Sequence, residues 1–544
     1  MHRATCHRPP HAKLHVKLFL AVTALLLLPN HALAQAPRFM EETESSGIDS
    51  TYAGDWQYMV GGGTAVFDCD GDGFEDVLLA GGEGPSSFYL NRSARGGKLS
   101  FEKHASGLEF PAVTGAYPLD IDGDRLMDVV LLRAGENLVM KGEGNCRFTR
   151  ANEAWGFDGG DGWSTAFAAT WEKDAAWPTL VIGNYIDRNE ELEPWGSCTA
   201  NWLHRPAASG KGFAPPLALE PSHCPLSMLF TDWSNSGRAD LRVSNDREYY
   251  EGGQEQMWHI APGEAPRLYS EEDGWRYLRI WGMGLAGYDL DGDGFQEYFH
   301  TSMADNKLQA LADPPKDGST PRPDYKDIAW AKGVTAHRPF TGDDLKPSTA
   351  WHTEFEDVNN DGLVDLFIAK GNVAEMPDFA LKDPNNLLIQ GKDGRFTEMA
   401  DTAGVASTRV SRGGALADFN LDGLLDLLVV NRWEPAQIWR NTTEAAGNAI
   451  MLRLTQQGPN VNGIGAFIEV RTADGVQRRE VTSGGGHVSG QSGWIHFGLG
   501  KAEEAEIRVR WPDRGWSAPQ RLRAGGFAIL GREAAGSSLW QPPR

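Results

Sequence analysis

One nine-residue pattern recurs along this chain and decides most of what it can become. Residues 68–76 read Asp-Cys-Asp-Gly-Asp-Gly-Phe-Glu-Asp, with Asp68, Asp70, Asp72 and Asp76 at positions 1, 3, 5 and 9 and glycine at position 6. Three more stretches carry a full set of side-chain oxygens at those positions. They are Asp289, Asp291, Asp293 and Glu297; Asp357, Asn359, Asp361 and Asp365; and Asp418, Asn420, Asp422 and Asp426. A fifth stretch keeps Asp120, Asp122, Asp124 and Asp128 but has Arg125 at the glycine position. Two are degraded: 232–240 lacks two acids, and 170–178, read as starting on Thr170, keeps only Glu172 and Asp174.

The seven starts lie 50 to 68 residues apart. That is too long for a solenoid turn and suits one four-stranded propeller blade. A small-residue strand precedes each loop (61–67 is an example) and a short apolar strand follows (77–80, 427–430). The unit is therefore strand, tight loop, strand. The chain's 64 glycines and 19 tryptophans agree with a turn-rich, aromatic-packed β protein. We expect an all-β fold, a seven-bladed β-propeller over 36–443.

A second sub-motif bears on closure. Blades end on a Phe-containing strand that runs to a small residue and Gly, as in Phe101 to Gly107 and Phe396 to Gly404. The last blade lacks this segment, whereas the N-terminal stretch from Phe39 to Gly47 supplies one. The N-terminal strand, 38–48, is expected to close the last blade and remove a free edge.

Oxygens at positions 1, 3 and 5, a reversal at 6, a carbonyl at 7 and an acid at 9 converge into the six-to-eight-oxygen shell that Ca²⁺ prefers. An EF-hand needs a bidentate Glu at position 12. Position 12 here is Leu79, His300, Ile368 or Val429, so that reading fails. The bland alternative, good turns without metal, is outweighed where four loops carry the full ligand set. For the loop at Asp120 both readings stand, and for those at Thr170 and Asp232 the metal-free one is favoured. The expectation is four Ca²⁺ sites, with a fifth open.

Alternating strands beyond 448 predict a small β-sandwich over 448–535. Here 462–466 (Asn-Gly-Ile-Gly-Ala), 483–487 (Ser-Gly-Gly-Gly-His), 496–500 (His-Phe-Gly-Leu-Gly) and 511–513 (Trp-Pro-Asp) resemble the ASPIC/UnbV module. The Asp-rich loops resemble FG-GAP/VCBS repeats, so the chain is similar to the cartilage acidic protein family and its bacterial relatives. That resemblance implies an extracellular or periplasmic calcium-binding propeller and no established reaction.

Residues 1–34 have the layout of a signal peptide: Arg3, Arg8, Lys13 and Lys17, an apolar run over 18–28, and Ala-Leu-Ala at 32–34. Its removal would take the formal charge from −23 to −27, because the segment holds four basic and no acidic residues. Such a charge argues against nucleic acid as a partner. No later run is apolar and long enough to span a membrane, and the expected location is periplasmic or extracellular. Cys69, Cys146, Cys198 and Cys224 then remain. Cys198 and Cys224 are the more natural disulfide, closing one long insertion, with Cys69 and Cys146 then paired by elimination; four cysteines allow three pairings, and free buried thiols are the alternative. Asn91-Arg-Ser and Asn441-Thr-Thr match the glycosylation sequon.

Similarity to integrin-like propellers puts the loops on one face and a polar rim on the other. Strand ends there offer Asn245, Asp246, Arg247, Met303, Asp305, Asn306, Asn372 and Arg432, and inner-strand starts add His352 and Arg412. Their convergence is what a binding site requires; the alternative is turn residues that satisfy backbone groups. Two functions of different class follow. One is a binding or adhesion protein for a protein, glycan or small-molecule ligand. The other is an enzyme, or an accessory protein to one, using the same face. No nucleophile, phosphate-loop or zinc signature supports a reaction, so the chain leans away from enzymes. A deep pocket with His352 beside an acid would mark the second class. Ligand and oligomeric state are not specified by sequence.

Overall fold

The computed structural model describes residues 36–541 apart from 191–195, 247–253, 336–345, 374–375, 381, 514 and 534–536. The N-terminal segment 1–34 and Arg247 lie outside the described residues. No helix among the described residues is long and apolar enough to cross a membrane.

Seven sheets, each built on four antiparallel strands around one loop of the repeat, form a seven-bladed β-propeller; six take their four strands in sequence. The inner strands are Thr64–Phe67, Val113–Leu119, Ser164–Thr170, Pro225–Thr231, Gly282–Tyr288, Ala350–Glu356 and Ser411–Ala417. Each lies beside the next, and the seventh lies beside the first, so the ring is closed. Inner strands are buried along their length because both faces meet neighbouring blades. Aromatic side chains fill the wedges between blades. Phe148 meets Phe67 and Phe88 edge-on at the first interface, and those two are tilted to each other, with centroids 6.0 to 6.2 Å apart. Burying each such ring contributes about 2 kcal/mol.

The outer strand of the seventh blade is the N-terminal Phe39–Glu41, paired with Gln437–Asn441 in the register Phe39 to Asn441. A one-turn helix, Thr43–Ser46, follows and ends on left-handed Gly47, φ 89°. The helical turns Asn152–Trp155, Ala329–Lys332 and Ala400–Ala403 end the same way. This is the physical content of the Phe-to-Gly sub-motif. Glu42 locks the closure: it accepts from the Leu99 N–H of blade one at 2.8 Å and from Arg440 Nε of blade seven at 3.0 Å.

Cys69 is bonded to Cys146, tying blade one's loop to blade two, and Cys198 to Cys224. Two further four-stranded sheets pack as a sandwich over residues 448–540. Ile450, Leu452 and Leu454 of its first strand face Ile468 and Val470 of the other sheet, as strand alternation requires.

Candidate functional site: the loop face and the sealed axis

The four full loops share one backbone frame. The position-6 N–H donates to the second oxygen of the first Asp, at 2.9 Å on Asp68, 3.0 on Asp289, 2.7 on Asp357 and 2.8 on Asp418. The position-2 N–H donates to the acid at 9, as from Cys69 to Asp76 at 3.0 Å. In loops 68–76 and 289–297, oxygens from positions 1, 3 and 9 lie within 4.8 Å of one another. Asp289 Oδ1 and Asn420 Oδ1 are buried ligand-position oxygens without a hydrogen-bond partner. Burial, then the neighbouring carboxylates, pushes Asp76 and Asp418 up to about 8. A divalent cation relieves both costs, so this donor set fits Ca²⁺.

The acid at position 9 has a second job that sequence reasoning missed. Its other oxygen accepts a third-strand N–H: Asn91 to Asp76, Gln390 to Asp365 and Asn441 to Asp426, at 2.8 to 3.0 Å. Metal-poor blade four does the same, Ile260 to Asp240 at 3.2 Å. A lone acid at 9 is therefore a strand staple and does not indicate metal. Asn91 and Asn441 are buried, and their Nδ2 groups donate to carbonyls of the same and the adjacent blade, a packing incompatible with a glycan on either nitrogen.

The third loop needs a correction of one residue. Strand pairing sets Phe67 opposite Asp76 in blade one but Thr170 opposite Thr179 in blade three. Position 1 is thus Trp171, and Glu172 and Asp174 fall at positions 2 and 4. The Thr170 start assumed the small-apolar lead-in ended where it does elsewhere; the strand runs one residue further.

The loop face is covered by the C-terminal module. Arg453 reaches Asp68 Oδ2 at 2.9 Å and Glu75 Oε1 at 3.0 Å; Arg510 reaches Asp232 Oδ2 at 3.1 Å. Arg453 meets the oxygen of Asp68 that already accepts from Gly73, leaving Oδ1 on the ligand side. Backbone contacts add Gly500 N to Asn360 O at 2.9 Å and Gly447 N to Asn359 O at 3.1 Å.

From this module a ten-residue segment, 483–492, enters the propeller axis and meets all seven blades. Ser483–Gly484 pairs with the inner strand of blade three, and Gly490–Ser492 runs parallel to that of blade one. Ser489 bridges Ala116 of blade two and Gly486 bridges Leu285 of blade five. Gly485 N donates to Met228 O of blade four at 2.6 Å. His487 N donates to His352 Nδ1 of blade six at 3.0 Å, and Gly413 of blade seven backs onto Ser489. Such close approach needs a bare backbone. A Cβ on Gly63 would sit 1.7 Å from the Val488 carbonyl oxygen. The His487 ring is fully buried, with its nitrogens 3.0 and 2.8 Å from the carbonyls of Leu226 and Val60.

The predicted rim residues are brought to the far end of this axis, but as bracing. Arg412 is buried over Trp351 and donates to the carbonyls of Met59, Gly371, Ser411 and Asn372. Arg432 holds Gly54 and Asp55, Asn245 holds Gln254, Asn372 holds Met376, and Asn306 accepts from Ser302. Asp246 accepts from Tyr185. Asp305 is exposed. Met303 joins Met59, Met283, Met376, Trp281 and Trp351 around a cavity of about 30 Å³, room for about one water. Five blades do converge here, but much of this polarity is spent on bracing bonds, and the described residues form no open polar pocket.

His352 lies instead on the wall of a cavity of about 420 Å³ between propeller and module. It does stand beside an acid, with Nε2 2.8 Å from Glu354 Oε1. Nδ1 accepts the His487 N–H, so the proton is on Nε2 and points at Glu354. Glu354 also accepts from Gln491 and from Leu416 N. Both ring nitrogens of His352 are thus engaged, Nδ1 by the His487 N–H and Nε2 by Glu354.

Two family profiles agree with this architecture. The profile described as "ASPIC and UnbV" matches residues 456–526, and the "FG-GAP-like repeat" profile matches 68–131 and 357–429. Cartilage acidic protein 1 of Xenopus tropicalis and of Homo sapiens are each 29% identical over 105 residues. The matched stretch covers 19% of this chain and 16% of those relatives. Among solved structures, an Agrocybe aegerita lectin recognising non-reducing terminal N-acetylglucosamine aligns over 70% of this chain and 94% of its own, at 13% identity and TM-score 0.38. The BP39L lectin of Burkholderia pseudomallei aligns over 86% of this chain and 100% of its own, at 9% identity and TM-score 0.40. The chain is thus an FG-GAP-like repeat propeller carrying an ASPIC/UnbV domain, with low-identity homology to cartilage acidic protein 1.

Proposed function

We propose that this chain is an exported, Ca²⁺-stapled binding protein that recognises its ligand on an outer surface. The observation that carries the reading is the filled axis. The module segment seals one end, the Met- and Trp-lined cavity at the other holds about 30 Å³, and both ring nitrogens of His352 are engaged by His487 and Glu354. Ligand pockets typically need about 300–1,000 Å³; the cavity of about 420 Å³ beside His352 falls in that range but is enclosed between propeller and module. Beside the insertion 313–349 lies a surface groove of about 650 Å³, walled by Trp275, Arg276, Tyr277, Pro321, Arg322 and Asp324. The exposed Tyr277 ring beside charged hydrogen-bonding groups suits a glycan or a polar peptide. Recognition is assigned to this groove instead of the axial rim. The signal-like N-terminus and two disulfides support export, and the four full loops support four Ca²⁺ acting as staples.

The test is binding of the full chain to glycan and peptide arrays in Ca²⁺, wild type against Tyr277→Ala. The expected result is a ligand held by the wild type and lost by the variant at unchanged melting temperature. A variant that binds like the wild type overturns the groove, and turnover of an array compound overturns the binding class.

A further inference from the structure

The three loops that depart from the full pattern share a feature outside the loops. In every blade one third-strand residue sits next to the loop, at a position fixed by strand register. It follows Tyr89, Met140, His204, Trp258, Gln309, Leu388 and Trp439, which pair with position 10 of their own loops. In the full loops of blades one, five and six this residue is Leu90, Ala310 and Ile389. In blade seven it is Arg440, whose Nε is paired with Glu42 at 3.0 Å. In blades two, three and four it is Lys141, Arg205 and His259, and each reaches an acid of its own loop. Lys141 Nζ contacts Asp122 Oδ2 and lies 2.5 Å from Asp124 Oδ2. Arg205 Nε is 2.6 Å from Glu172 Oε1, and His259 Nδ1 is 3.4 Å from Asp240 Oδ1.

We infer that Lys141 is a tethered replacement for Ca²⁺ in blade two, and that loop 120–128 is a latent Ca²⁺ site held shut by it. The loop frame is otherwise intact. Arg125 takes the left-handed conformation of the missing glycine, φ 73°, and its N–H donates to Asp120 Oδ2 at 2.9 Å. Ile121 N donates to Asp128 at 2.8 Å, and oxygens of Asp120, Asp122 and Asp128 lie within 4.8 Å. What differs is the cation. An ammonium donates to carboxylate oxygens at positions 3 and 5, which Ca²⁺ needs for its shell. Being covalently attached, it competes at the high effective concentration of an intramolecular partner. Blade three cannot be opened this way, because its acids sit at positions 2 and 4.

The inference rests on the reading that the full loops take Ca²⁺, and the experiment separates the two. Bound Ca²⁺ per chain is counted by equilibrium dialysis for the wild type, Lys141→Met, Lys141→Arg and Asp124→Asn. One ion more in Lys141→Met than in the wild type is expected, with no gain in Lys141→Arg and no loss in Asp124→Asn. A wild type that binds no Ca²⁺ overturns the reading of the full loops. An equal count in Lys141→Met and the wild type overturns the latent site. An ion lost in Asp124→Asn also overturns it, and that arm does not require Lys141→Met to fold.

Discussion

The backbone N–H of His487 donates to Nδ1 of His352 across 3.0 Å, joining residues 135 apart in the chain. One belongs to the C-terminal module and the other to the inner strand of blade six. The bond fixes the His352 tautomer, aims its Nε2–H at Glu354, and makes the module's glycine-rich segment part of the propeller core. The module is therefore a component of the ring, and perturbing either should be felt in both.

Gly63→Ala tests the seating of that segment. The new methyl would collide with the Val488 carbonyl. Overpacking of this kind costs about 3 kcal/mol. Hydrogen exchange over 484–492 should rise well above wild type while the outer strands stay protected. Unchanged protection there would mean the segment is not seated against blade one.

Ring closure turns on Glu42. It is buried and pairs with Arg440 while accepting the Leu99 N–H. Glu42→Ala leaves the guanidinium and the N–H unanswered, at about 3–5 kcal/mol. Denaturant unfolding should show that loss, and deletion of 36–48 a larger one. A cost below about 1 kcal/mol, the surface-pair range, would remove Glu42 as the lock.

Chelation addresses the loops. Each staple contributes about 2.7 kcal/mol when free Ca²⁺ is a hundredfold above its Kd. The melting temperature should therefore fall by several degrees in EGTA and recover on adding Ca²⁺ but not Mg²⁺, which resists such an all-protein oxygen cage. A melting curve indifferent to EGTA would leave the loops as turns.

Acid should loosen the plug. Burial, with Arg412 and His352 adding to it, pushes the His487 imidazole down to about 3, against about 6.5 in an unfolded chain. The folded state then binds fewer protons than the unfolded one. The contribution is complete above about pH 6.5 and is lost as pH falls toward 3. His300 and His496 are lowered to about 3 as well. His487→Asn should accordingly flatten part of the decline in melting temperature between those limits. A slope identical to wild type would exclude His487 as a contributor.

Much of the scaffold was legible because it is written locally. Asp68, Asp70, Asp72 and Asp76 lie within nine residues, so their spacing alone brings the oxygens together. The closing strand was readable from Phe39 and Gly47 because the last blade lacked that motif. The Thr170 start slipped by one residue because a degraded loop offers no ligand to anchor the count, and only pairing with Thr179 fixed it. His352 and Arg412 were placed on an open rim because strand ends show polarity but not the direction in which it is satisfied.

The sequence by itself determined the seven-fold repeat, the Asp-rich loops, the strand that closes the ring and the C-terminal sandwich, because each follows from residue spacing within a few dozen positions. Only the tertiary structure decided what occupies the axis and which cation faces each loop. The segment 483–492 has no periodicity, and its partners are backbone and side-chain atoms spread over seven separate blades. Lys141 and Asp122 meet only through strand register, and neither fact leaves a mark on the linear chain.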